Sequence, residues 1–130
     1  EQYPEGLGPT VPEIAAPLAG LEPVAKRSFS SFADPGFAER LRELGRDQVL
    51  LTGIETHVCI HQTSLDLLDR GYEVQVVADA VSSRTEFNKR IGLDKIARAG
   101  GIITSTETAL FELLKIADGP AFKTILSLVK

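Results

Sequence analysis

The chain has no methionine and no tryptophan, and it has a single cysteine, Cys59. One cysteine excludes an internal disulfide, which fits a reducing, cytoplasmic setting and leaves a free thiol to explain. Without methionine, Glu1 is not a translation start, so an upstream segment is expected. Aromatic residues make up only 6% of the chain, so its core must be mainly aliphatic. No run approaches the roughly 18 apolar residues that a membrane-spanning helix needs, and no secretion or lipidation motif is visible. Positive charge is in deficit, with 14 Lys and Arg against 18 Asp and Glu and a net charge of -4. That balance argues against nucleic acid and anionic membrane as main partners. Spacings such as H-x-x-x-H and C-x-x-C are absent, as are G-x-G-x-x-G and the P-loop pattern, so no metal and no cofactor is expected. What is present, 43% hydrophobic and 25% charged residues over 130 positions, is ordinary for one soluble domain spanning 1–130.

Residues 1–23 carry Pro4, Pro9, Pro12, Pro17 and Pro23 with Gly6, Gly8 and Gly20. Proline fixes φ and removes a donor, which predicts an irregular loop with one short helical turn near Glu13–Ala16. A short strand is predicted at Val24–Arg27 and a turn region at Ser28–Phe32. Asp34-Pro35 reads as an N-cap with proline at the first helical position, opening a helix that ends at Gly45. Gln48 to Ile54 is apolar on consecutive positions, which predicts a strand buried on both faces. Thr56 caps the next helix, which stops at Gly71. A second strand follows over Tyr72–Ala78, then a polar loop, Asp79 to Arg84. Ser83-x-x-Glu86 has the spacing of a capping box for a third helix, and Thr104-x-x-Glu107 has it for a fourth. Between those helices lies a short strand, Gly101–Thr104. Asp118-Gly119-Pro120 separates the fourth helix from a terminal amphipathic one bearing Phe122, Ile125, Leu126 and Val129. Strands alternating with helices across short connections predict an α/β fold with a parallel sheet covered by helices on both faces.

In such a sheet, ligand sites form at the carboxyl ends of the strands. Three ends carry reactive groups: Lys26, the Gly53–Cys59 turn, and Asp79 to Arg84. Cys59 falls in the first turn of its helix, where unpaired N–H groups and the helix dipole favour thiolate. The same amides suit a developing oxyanion, and an ammonium from Lys26 would stabilise the thiolate further. Two readings of a lone cysteine remain open at this point, a small buried hydrophobe or a nucleophile. Lys26 is either a solvated charge or the partner of the thiol. His57 and His61 lie two residues either side of Cys59, a spacing that does not share a helix face, so neither is its dyad partner. His57 fits the wall of a site, and His61 a structural or exposed position. Asp79 fits a loop anchor or helix cap, and Ser82-Ser83-Arg84 either an anion site or a helix start.

Gly53-Ile54-Glu55-Thr56-His57-Val58-Cys59-Ile60 resembles the G-[IV]-x-[TA]-x-x-C-[IV] nucleophile motif of the isochorismatase-like cysteine hydrolases. Lys26-Arg27-Ser28-Phe29-Ser30-Ser31-Phe32 is similar to that superfamily's K-x-x-[FY]-S-x-F segment. Leu67 to Val74 and Val77-Ala78-Asp79-Ala80 resemble its next helix and strand, and Glu1 to Thr10 resembles the isochorismatase domain-containing subgroup. The resemblance implies a Rossmann-like three-layer α/β/α sandwich around a parallel sheet. It implies an Asp-Lys-Cys triad in which Cys59 is the nucleophile and Lys26 the lysine. The aspartate, which ends the family's first strand, matches no residue here, so the N-terminal strands are expected upstream of Glu1. The resemblance further implies a cis Ile54–Glu55 peptide, with the backbone amides of Glu55 and Cys59 forming the oxyanion hole. Thr56 and His57 are then candidate substrate-pocket residues. The Asp-x-His…His zinc set of some relatives has no counterpart. A vinyl-ether isochorismatase typically has glycine at the cysteine position.

The function these readings predict is hydrolysis of a small amide or related C–N bond through a Cys59 thioester. The expected assembly is a homo-oligomer, a dimer or tetramer, acting on a small molecule. The alternative is a catalytically incomplete family member serving as an oligomeric interaction or scaffold protein.

Overall fold

Proline at helix starts organises the opening stretch. The computed structural model describes residues 1–129, in which Pro4 opens α1 (Pro4–Leu7) and Pro12 opens α2 (Pro12–Ala15). A 3-10 turn over Ala16–Leu18 continues the second. The predicted turn near Glu13–Ala16 is therefore present, and a second, at Pro4, was not anticipated. Val24–Arg27 does not form a strand; its only sheet-like contact is one parallel bridge between Gln2 and Lys26. Next comes α3 (Pro35–Glu43), where the Asp34 carboxylate accepts the Phe37 N–H at 3.1 Å. This satisfies one of the orphan donors of a helix start.

The remaining elements are β1 (Gln48–Ile54), a π-helical turn (Thr56–Ile60), α4 (His61–Leu68), β2 (Glu73–Ser82), α5 (Glu86–Arg98), β3 (Ile102–Thr104), α6 (Thr106–Leu114) and α7 (Gly119–Leu128). Among the described residues the sheet is three-stranded, ordered β1-β2-β3, and both pairings are parallel. The alternation of strand and helix thus gives the α/β fold that the sequence predicts. No helix of the described residues is long and apolar enough to cross a membrane.

Val74, Val76 and Val81 of β2 pack with Ile60, Leu67 and Ile96, which come from the elements before and after it, and with Phe32 and Ala38. Val74, Val76, Leu67 and Ile96 are completely buried. Each such side chain contributes about 1.5–3 kcal/mol relative to leaving it in water. Val49 and Leu51 of β1 join this core as half-buried neighbours.

The opposite face of β1 differs from expectation. Consecutive apolar residues predict burial on both faces, yet Leu50 is 46% and Ile54 71% exposed. The reason is coverage: an open cleft, and not packed side chains, lies over Leu50. This cleft of about 750 Å³, lined by Gln48, Leu50, Gln75, Ala109 and Leu113, separates the outer face of β1 from α6.

Two helix starts and one strand end also shift. The third predicted helix is capped by Thr85, whose Oγ1 accepts the Asn88 N–H at 3.2 Å, and not by Ser83. The fourth is capped by Ser105, accepting from Thr108 at 3.1 Å, because Thr104 is still in β3. The second strand runs on to Ser82 through what the sequence predicts as loop. Pairing is interrupted after Leu51–Val76 and resumes at Gly53–Val81 and Ile54–Ser82. That interruption inserts extra residues into β2, in the manner of a bulge.

Candidate active site

At the end of β1, Gly53 adopts φ +109°, a conformation that side-chain-bearing residues rarely reach. The peptide that follows, Ile54–Glu55, is cis, as the family resemblance implies. The chain then enters the π-helical turn, which is wider than an α-turn. The Glu55 carbonyl accepts the N–H groups of both Val58 (3.1 Å) and Ile60 (3.2 Å). The N–H of Cys59, between them, bonds to neither Glu55 nor Ile54, and the N–H of Glu55 donates to no backbone carbonyl. Two donors therefore remain free of those acceptors in the turn that carries the half-buried Cys59 thiol.

The turn is tied residue by residue to the end of β2. Glu55 receives three hydrogen bonds from Arg84: from its backbone N–H at 3.0 Å, from Nε at 3.1 Å and from Nη2 at 2.8 Å. Thr56 is fully buried and donates its hydroxyl to the Ser82 carbonyl at 3.0 Å. His57 Nδ1 lies 3.0 Å from the Ser83 hydroxyl, with Nε2 4.0 Å from the Glu55 carboxylate. Residues 55, 56 and 57 thus extend by side chains the pairing that the backbones begin at Gly53–Val81. From the other side, α5 presses Gly92 against the turn. A Cβ at Gly92 would lie 2.9 Å from His57 Cα, His57 N and Thr56 C.

Lys26 is held by a different set of bonds. Its ammonium donates to Gln2 Oε1 (2.6 Å), the Ser28 carbonyl (2.8 Å) and the Phe29 carbonyl (2.9 Å). An ammonium has three protons, so all are committed and none is aimed at the thiol. The loop it holds is fixed to α4. Ser31 N–H donates to Thr63 Oγ1 at 2.9 Å, and the Ser30 hydroxyl donates to the Asp66 carboxylate. Thr63 and Asp66 lie three residues apart in α4, on one face of that helix. Lys26 also lines a smaller cleft of about 330 Å³ with Val24, Ser31, Phe37 and Arg40.

Hydrogen bonds from the Arg84 side chain and backbone hold the Glu55 carboxyl at about 2, well below its ordinary 4.5. Glu55 is therefore a bound carboxylate and not a poised proton acceptor. Burial, aided by the Lys95 ammonium, pushes the His61 imidazole down, so this buried histidine serves the interior. Asp79 makes no hydrogen bond to the turn at Cys59; its carboxylate accepts the Thr106 N–H at 2.8 Å, at the start of α6. Among the described residues no group of three or more His, Cys, Asp or Glu is placed to hold a metal ion. The larger cleft lies on the outer face of β1, and none of its lining residues belongs to the turn at Cys59.

The structure thus gathers Glu55, Thr56, His57 and Cys59 in one turn and holds Lys26 apart from it, bonded to Gln2, Ser28 and Phe29. Sequence reasoning missed Gly92 and the pairing of Arg84 with Glu55. A lone glycine inside a helical pattern was the available signal for the first; nothing local marks the second.

A parallel α/β sheet with a lone thiol in the turn at the end of β1 places the chain in the Rossmann-like α/β class. The chain belongs to the isochorismatase-domain family: the family model described as Isochorismatase domain matches residues 6–108. Isochorismatase domain-containing protein 2 of Bos taurus is 45% identical over 133 residues, a match covering 100% of this chain and 62% of that protein. A solved structure described as the MAR1 ribonuclease of Caenorhabditis elegans superposes with a TM-score of 0.88 at 41% identity. It covers 99% of this chain and 66% of that one. A pyrazinamidase/nicotinamidase from Streptococcus mutans gives a TM-score of 0.58 at 34% identity, over 62% of this chain and 45% of that one. The chain therefore spans only part of the length of these relatives. Membership of the family supports hydrolase chemistry.

Proposed function

We propose that the protein is a cysteine hydrolase acting on a small amide or related C–N bond. The Cys59 thiolate adds to the carbonyl carbon, and the carbonyl π pair moves to oxygen. The N–H groups of Glu55 and Cys59 receive that oxyanion. Collapse breaks the C–N bond, the leaving amine takes a proton, and the acyl group stays on sulfur as a thioester. Water then releases the acid and restores the thiol. Lys26 orders the Ser28–Ser31 loop beside α4 and supplies positive charge to the site. The proton carrier is assigned to an aspartate outside residues 1–129, in the position that completes the family's Asp-Lys-Cys triad. His57, with Nε2 not bonded within 3.5 Å to any described residue, forms the polar wall of the pocket, and the buried Thr56 supports it from below.

The observation that carries this reading is that the Cys59 N–H is not bonded to the Ile54 or Glu55 carbonyl and the Glu55 N–H donates to no backbone carbonyl, in the same turn as the only thiol. The amidase relative supports a C–N substrate, and the net charge of -4 supports a small molecule over RNA. The test is ammonia release by the full-length polypeptide from a panel of small aliphatic and aromatic primary amides, with mass spectrometry of the trapped enzyme. An acyl adduct on Cys59 is expected, and Cys59→Ala should lower turnover by at least about 10³-fold. Turnover that survives Cys59→Ala, or cleavage of RNA in preference to every amide, would overturn it.

A further inference from the structure

We propose that Arg84 is the positioning residue of the oxyanion site and acts through Glu55. This rests on the thioester reading of Cys59. Glu55 occupies a pivotal place: its N–H is one of the two proposed oxyanion donors, and its carbonyl sets the start of the π-helical turn by accepting from Val58 and Ile60. A donor aimed at a developing oxyanion is effective only when it is held in place before the reaction. The free N–H of Glu55 has no partner of its own to hold it, so its direction is fixed by the rest of the residue.

The side chain supplies that restraint. Arg84 engages both carboxylate oxygens with its guanidinium and one of them again with its backbone N–H, at 2.8–3.1 Å. A planar guanidinium matching a carboxylate in a fork restricts orientation as well as position, which a single ammonium does not. Arg84 itself is anchored because it follows Ser82 and Ser83, which bind Thr56 and His57. The oxyanion peptide is thereby referenced to β2, the strand whose Val74 and Val76 are fully buried.

An ordinary stabilising salt bridge is a poor account of this arrangement. The Arg84 side chain is 72% exposed, and exposed pairs contribute little to stability. The pair is instead placed where orientation matters. It also differs from a substrate-binding arginine, since Arg84 already has a carboxylate on its fork.

The experiment uses two probes on the full-length polypeptide. Iodoacetamide alkylates Cys59 by displacement of iodide and forms no oxyanion. Acetaldehyde adds reversibly to the same sulfur, its carbonyl pair moving to oxygen, and so draws on the oxyanion donors. Protection of Cys59 from alkylation gives the acetaldehyde affinity. Arg84→Ala should weaken that affinity by about tenfold or more, while the alkylation rate without aldehyde and the unfolding midpoint change by less than about twofold and a few degrees. Arg84→Lys should recover part of the loss, and Glu55→Gln should fall between wild type and Arg84→Ala. Unchanged acetaldehyde affinity in Arg84→Ala overturns the proposal. So does a loss of affinity that tracks an equal loss of alkylation and of stability, which would mark a merely structural pair. If acetaldehyde fails to protect even the wild-type thiol, the thioester reading fails first, an outcome distinct from a clamp that can be removed without effect.

Discussion

Gly92 occupies the position where one missing carbon decides how closely α5 approaches the elbow. Alanine in a helix interior is normally worth up to about 1 kcal/mol over glycine, so Gly92→Ala would ordinarily stabilise α5. Here the added Cβ would meet three backbone atoms of Thr56 and His57 at 2.9 Å. Backbone on both sides cannot rotate away as a flexible side chain can. The sign should therefore reverse, with Gly92→Ala destabilising by about 1–3 kcal/mol in denaturant unfolding, the usual range for overpacking. The same displacement should slow iodoacetamide labelling of Cys59, because the turn that presents the thiol is what must move. A variant as stable as wild type would show that α5 does not press on the turn. Lys26 illustrates the complementary point. Its candidacy as a site residue comes from the sequence segment that carries it. Its three committed protons are not legible there, because their acceptors are two local carbonyls and a glutamine 24 residues away.

At the level of elements, the ends of strands and helices carry the candidate site residues and are also where sequence reasoning slips. The Asp34 cap was legible because aspartate precedes proline and no other hydroxyl or carboxylate competes nearby. Ser83 and Thr85 do compete, as do Thr104 and Ser105. Within each pair the choice is made by tertiary partners: Ser83 is drawn to His57, and Thr104 remains paired in β3. The extension of β2 to Ser82 was hidden for a similar reason. Asp79 sits in the bulged stretch and reads as loop, yet it meets the start of α6 through the Thr106 N–H. Its carboxyl is lowered from the ordinary 3.8, chiefly by the Thr106 N–H. A lowered folded-state value means the stabilisation is complete above the unfolded value and disappears as pH falls through the folded one. Wild-type stability should therefore contain an Asp79 contribution that is intact at neutral pH and lost in acid, below about the ordinary carboxylate range. Asp79→Asn keeps an acceptor oxygen but no charge, so the stability difference between the two proteins should be largest near neutral pH and shrink on acidification. Denaturant unfolding at several pH values measures it; a difference that is constant with pH would remove the carboxylate from that role.

Across the whole molecule, protection is expected to be graded from β2 outward. The parallel α/β class and the strand-to-helix turn at Cys59 were legible because hydrophobic runs alternate with capped helices. The open outer face of β1 was not, since a run such as Val49-Leu50-Leu51 reads the same whether one face or two are covered. β2 is hydrogen-bonded on both sides and has Val74 and Val76 fully buried, with Val77 at 5% and Val81 at 3% exposure. By contrast α7 contains no buried residue and meets α6 through the Phe111 and Phe122 rings, 6.5 Å apart. α1 and α2 likewise bury nothing, and the arm they belong to joins the body through few bonds, among them the Gln2–Lys26 bridge and Arg40 to the Glu22 carbonyl at 2.7 Å. Local opening costs least where little apolar surface is buried. Hydrogen–deuterium exchange should then find Val74–Val77 slowest, the Thr56–Ile60 turn close behind because it is tied to the end of β2, and α1, α2 and α7 fastest. On this ordering the Cys59 turn sits on the rigid part of the molecule, while the α1–α2 arm opens more readily. Exchange at the elbow as fast as in α7 would contradict both the ordering and the idea that β2 is the frame to which the site is referenced.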